Sequence, residues 1–200
     1  GSDGGKTLME GNARVLKARL SDAAFFYDQD LKAGFTPWLS KLEKVVYHTK
    51  LGTTSQRMER IAKLAPLVAS NDQAPQLQQV AKYAKADLMS LMVNEFPELQ
   101  GIMGAYYGRQ NKLPEDLCQA IYDQYTPKGP EDAVPSAPLS QLYGIMERLD
   151  QLMSFFAVGI KPTGSKDPFA LRRAALSLIR ILEAGHEIAL RPLMDQAHGI

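Results

Sequence analysis

Thiol and imidazole are scarce in this 200-residue chain, which has one cysteine and three histidines. The lone Cys118 excludes an internal disulfide, favours a reducing compartment and reads as a small buried hydrophobe. No apolar run approaches the ~20 residues that a membrane-spanning helix needs. No basic-then-apolar leader opens the chain, so a cytoplasmic location is expected. Charge of one sign is also missing: the net charge of +1 gives no global attraction to nucleic acid or membrane. Any polyanion site must therefore be a local patch.

What is present is apolar residues at helical spacing, with few alternating strand-like runs, which predicts an all-α, multi-helix bundle. Leu16, Leu20, Ala23, Ala24, Tyr27 and Leu31 share one face of a first helix over 12–32. Thr36-Pro37 opens a second, with Leu39, Leu42, Val45 and Val46 as its buried stripe. A third helix is expected over 55–69, and the run from Gln73 to Asn94, with no Gly and no Pro after Pro75, reads as the longest helix and the spine of the core. Further helices are expected from Pro114, over 139–158 and 168–184, and around 188–197. "TPKGPEDAVPSAP", with four prolines and no helical period, is a Pro-rich loop. Gly1-Ser2 reads as an expression-tag remnant, 1–10 as an N-terminal extension, and 11–200 as one helical domain.

Four chemistries can be weighed from residue types. "PTGSKDPFALRR" contains a Gly-bearing turn, Gly164, that runs into a helix, where free amides attract anions. A nucleotide loop needs two glycines five apart followed by Lys and Ser/Thr, and here Ser165 precedes Lys166. Asp167 and Pro168 fit a capped helix start better. The same stretch is locally basic, with Lys161, Lys166, Arg172, Arg173 and Arg180 against Asp167, so it is the candidate RNA-phosphate surface.

A metal phosphohydrolase of the HD type needs several histidines, a His-Asp pair and a distant Asp. His48, Asp87 and Asp150 sketch that outline, but Ala86 stands where the paired His belongs, so no metal is expected and the positions read as structural. Partners across helix interfaces such as Lys85, Arg148 or His48 would satisfy the two aspartates. "HEIAL" at 186–190 lacks the second His of a zincin motif, because Leu190 occupies its place. Glu95 and Glu98 in "EFPELQG" flank a proline and read as helix-start residues rather than an acid-base pair.

"GNARVLKARLSDAAFFYDQDL", "KLEKVVYHTKLGT", "KADLMSLMVNEFPELQGIMGAYYG" and "IKPTGSKDPFALRRAALSLIRIL" together resemble the beta subunit of the bacterial two-subunit glycyl-tRNA synthetase, over about Gly11 to Leu182. The resemblance implies a middle segment of a longer subunit: a degenerate HD-like helical domain without the amino-terminal body or the anticodon-binding domain. In that family the alpha subunit activates glycine with ATP and Mg, the beta subunit binds tRNA-Gly, and two alpha and two beta chains assemble as a tetramer. The implied role is a non-catalytic part of glycine-tRNA ligase, with no catalytic residue and no cofactor of its own. The alternatives are an HD-type metal-dependent phosphohydrolase and a purely structural interaction scaffold. Ala105 departs from the family's pattern, which has Arg there, and 139–154 is looser than usual, although Asp150 and Phe155 match.

Overall fold

The computed structural model describes residues 4–185 and 188–197 and is mostly α. In chain order the helices are α1 (Lys6–Ala33), α2 (Phe35–Leu42), α3 (Thr54–Lys63), α4 (Ala65–Val68), α5 (Ala74–Tyr83), α6 (Leu91–Glu95), α7 (Ile102–Gln110), α8 (Glu115–Asp123), α9 (Pro138–Ala157), α10 (Leu171–Glu183) and α11 (Leu190–Ala197). Among the described residues, strand is confined to one antiparallel hairpin, β1 (Val46–His48) with β2 (Gly52–Thr53). Gly1, Ser2, His186, Glu187 and His198 lie outside the described residues.

The main core forms around α9, which buries Leu142, Tyr143, Ile145, Met146, Leu149, Leu152 and Phe155. It packs against α3, α5, α8 and, most extensively, α10. Gly144 sets the approach to α10, since a Cβ there would lie 2.9 Å from Ile181 Cδ1. A second, smaller cluster joins Phe35 and Trp38 of α2 to Ala86, Met92, Val93, Met103 and Tyr107, with Ala23 and Tyr27 of α1 packed on it. Asp30 ties α1 to this cluster: its carboxylate accepts the Leu91 and Met92 amides at 2.8 and 3.0 Å and the Tyr107 hydroxyl at 2.7 Å.

Several expectations are corrected. The single helix over 73–94 is three pieces: α5, a 3₁₀ turn at Ala86–Met89, and α6. Ser90 makes the break by capping α6, its hydroxyl accepting the Val93 amide, while Asp30 takes the two amides before it. The spine is therefore α9, and the longest helix is α1, with 28 residues. The apolar face of α1 is covered only at its C-terminal end, and Leu16 and Leu20 are 60% and 61% exposed. Val46 belongs to the hairpin and points to solvent rather than extending the buried stripe of α2. The last long helix begins at Leu171, not at Pro168.

The Pro-rich segment is a loop, and two arginines hold it. Arg148 donates to the Gln124 and Thr126 carbonyls, and Arg180 donates to those of Gly129 and Asp132 at 2.8 and 2.7 Å.

Candidate functional site

Helix α9 reads "LYGIMERLDQL", placing Glu147, Arg148 and Asp150 in a stretch otherwise given over to core residues. Buried charges persist only when paired. Glu147 is the hub: it accepts Lys85 Nζ at 2.6 Å and Arg57 Nη2 at 3.5 Å, and its other oxygen lies 3.3 Å from Arg148 Nη1. Burial works to raise the Glu147 pKa, but the three cations together outweigh it and hold the carboxyl at about 2. Lys85 has only a share of one carboxylate to set against complete burial, so its pKa falls to about 8. Its ammonium also sits 4.1 Å over the Tyr125 ring.

Asp150 is bound from α3. Arg57 Nε reaches one of its oxygens at 3.1 Å and Arg60 Nε the other at 3.0 Å, with Ser154 adding a hydroxyl at 3.2 Å. Asp87 has no cation at hydrogen-bond distance. One oxygen accepts the Gly101 and Gly104 amides at 2.6 and 3.0 Å, and the other is buried without a partner. Burial raises its pKa to about 6 against the lowering effect of those amides. Gly104 lets the helix approach this carboxylate closely, since a Cβ there would fall 3.1 Å from the Asp87 oxygen and 2.9 Å from Ile121 Cγ2.

His48 stands apart from both aspartates. Its Nδ1 accepts the Lys50 amide at 3.2 Å, and its ring meets Phe155 and Phe169 edge-on, each at 5.4 Å. The three HD-outline positions thus have three separate sets of partners, and guanidinium groups occupy both oxygens of Asp150. Lys85, Arg148 and His48 are not the partners of these aspartates by hydrogen bond. Lys85 and Arg148 serve Glu147 instead, which sequence reasoning missed along with Arg57 and Arg60. Among the described residues no group of three His, Cys, Asp or Glu side chains could hold a metal ion.

The basic stretch of 161–180 divides by function. Thr163 N–H closes the turn onto the Lys166 carbonyl at 2.9 Å, and the Arg172 guanidinium donates to the Thr163 and Gly164 carbonyls, bracing it. Asp167 accepts the Leu171 and Arg172 amides at 2.8 and 3.0 Å, bonds that hold its pKa below the usual carboxylate value. Asp167 therefore does cap a helix start, three residues later than the sequence indicated. Arg180 is committed to the Pro-rich loop. Lys161, Lys166 and Arg173 remain exposed.

Arg173 lies on the wall of a cleft of about 610 Å³ between α3, α9, α10 and the 125–128 segment. Arg57, Lys85, Lys128, Arg148 and Arg173 line it against two carboxylates, Glu98 and Glu147, leaving an excess of three positive charges. Arg173 and Lys128, near its mouth, make no side-chain hydrogen bond or ion pair among the described residues. Such a wall attracts anions.

The family profile described as "Glycyl-tRNA synthetase beta subunit" matches residues 1–199. Similar proteins include glycine–tRNA ligase beta subunits of Paracoccus denitrificans, 54% identical over 90% of this chain, and of Phenylobacterium zucineum, 50% identical over 90%. That of Chromohalobacter salexigens is 44% identical over 95% of the chain. The chain spans 27%, 28% and 28% of the length of these three relatives.

Proposed function

This chain belongs to the glycyl-tRNA synthetase beta-subunit family, and on that premise we propose that it is a non-catalytic helical domain of glycine-tRNA ligase that holds tRNA-Gly by its phosphates. The observation that carries the reading is charge segregation: a chain of net charge +1 gathers an excess of three positive charges on one cleft. Exposed Arg173 lies on that cleft wall and extends the basic stretch that includes Lys161 and Lys166. In this reading the architecture is a degenerate HD-like domain in which two guanidiniums, not a metal, neutralise Asp150. The whole enzyme would be cytoplasmic, with two alpha and two beta chains, and ATP and Mg would act at the alpha subunit.

A second reading, docking scaffold, is favoured by α1. Met9, Leu16 and Leu20 continue, at helical spacing, the line of Tyr27, which packs on the smaller core cluster, yet all three are more than half exposed. An apolar line half covered and half bare fits a face that another part of the subunit covers.

Titration of the 200-residue chain with tRNA-Gly at low and moderate salt separates the two. Phosphate contact predicts binding that weakens steeply with salt and weakens further in a Lys161→Ala/Lys166→Ala/Arg173→Ala variant. Binding absent at both salt concentrations leaves docking as the role.

A further inference from the structure

The polar groups of the cleft are not in electrostatic balance, and the imbalance lies in its buried part. Arg57, Lys85 and Arg148, each under a tenth exposed, converge on the carboxylate of Glu147, and Arg57 also reaches Asp150 at 3.1 Å. Adding the next layer does not restore neutrality, because Asp150 arrives together with Arg60. Asp87, which acts on Lys85 from outside the cleft lining, lowers the buried excess from two to one when it is ionised. Protein interiors tolerate buried charge when an opposite charge is present, and here the wall supplies too few. Ser177 on the same wall accepts Arg148 Nε at 2.8 Å, which leaves its hydroxyl proton to donate.

We propose that this cleft is a one-phosphate pocket, in which a phosphate group enters between Lys128 and Arg173 and sits against Arg57 and Lys85 as the missing counter-charge. The pocket stands on its charge and geometry alone, and the tRNA reading bears only on where the phosphate comes from. Two sources share the chemistry: a phosphate of RNA, and free phosphate or a mononucleotide. The approach favours a phosphate at a chain end or in an extruded nucleotide, because the lysine and arginine that matter most are recessed rather than spread along a surface.

The first probe is inorganic phosphate, compared with chloride at equal ionic strength, on the intact 200-residue chain. The expected result is a saturable rise in Tm of about 3 °C at ten times Kd, a response chloride does not give. Arg173→Gln/Lys128→Gln changes exposed side chains only, and is expected to weaken phosphate binding roughly tenfold while leaving the phosphate-free Tm in place. The second readout is the Lys85 side-chain resonance followed through a pH titration. Glu147 from α9, Arg57 from α3, and Asp87 and Tyr125 all act on this ammonium, and a bound phosphate adds one anion to that set. Its titration midpoint, about 8 without ligand, is then expected to rise by roughly one unit.

A Tm that responds equally to chloride and phosphate, with an unmoved Lys85 midpoint, overturns the pocket. Competition assigns the source. If phosphate displaces a short single-stranded RNA, the RNA phosphate uses the pocket; if Lys85 responds to phosphate while the RNA stays bound, the pocket serves free phosphate. Loss of tRNA binding with the phosphate response intact sinks the RNA reading and leaves the pocket standing.

Discussion

Asp87 and Asp150 are the same residue type, both almost fully buried in the same chain, and they are neutralised in opposite ways. Asp150 is held by two guanidiniums, one on each oxygen. Asp87 is held by two backbone amides on one oxygen and nothing on the other. Amides stabilise a carboxylate without supplying a charge, so burial wins at Asp87 and lifts its pKa to about 6. Glu147, one turn before Asp150, shows the other extreme, where three cations press the pKa down to about 2. A buried carboxylate is therefore defined by whether its partners carry charge, and the two ends of this polar layer should respond differently to substitution and to pH.

The largest effect is expected from removing the charge of Glu147. Glu147→Gln keeps the shape but leaves Arg57, Lys85 and Arg148 without their shared anion, and should cost about 3–5 kcal/mol of stability in urea unfolding. A loss below 1 kcal/mol would mean that the network does not depend on its hub. Gly104→Ala comes next. The new Cβ meets Ile121 and the Asp87 carboxylate at once, and a loss of about 1–3 kcal/mol is expected. An unchanged Tm would show that Asp87 can leave the amides freely.

The pH response gives a smaller but sharper test. Asp87 has a folded pKa raised to about 6, so between pH 6 and the unfolded value near 4 the native state binds a proton more readily than the unfolded chain. Stability should then rise, by about 1–2 kcal/mol, as pH falls through that window. Glu147 acts in the opposite sense: its folded pKa is depressed to about 2, so its contribution is present above the unfolded value and is lost as pH falls toward 2. Asp87→Asn should flatten the slope between pH 6 and 4 and leave the loss below it; thermal melts across pH 3–7 read both limbs. A slope unchanged in Asp87→Asn would assign it to another group.

The helical class was legible because apolar spacing survives in nearly every element, and the Pro-rich loop was legible from its prolines. The break at Ser90 was legible only in part: a serine before "LMVNE" is a capping signal, but the amides it leaves are taken by Asp30, 61 and 62 residues earlier, which no local pattern shows. The stripe on α1 was legible as apolar but its exposure was not, because periodicity reports a face and not its cover. At the site, Asp87, Asp150 and Arg173 were identified from local context. Arg57 and Glu147 were not, and Lys85 was assigned to the aspartates rather than to Glu147, since these pairings span 62 and 90 residues and each residue looks alone like an ordinary surface charge. The available signal was phase: Glu147 and Arg148 fall between Met146 and Leu149, inside the buried run of α9.

The central claim is that this domain of the family contributes phosphate contacts and no chemistry. The most direct test places Lys128→Ala/Arg173→Ala in the full-length beta subunit, assembles it with its alpha subunit, and measures aminoacylation over a range of tRNA-Gly concentrations. The account predicts a KM for tRNA raised about tenfold with kcat unchanged, as expected when binding common to ground and transition states is lost. A kcat that falls while KM for tRNA stays fixed would contradict it.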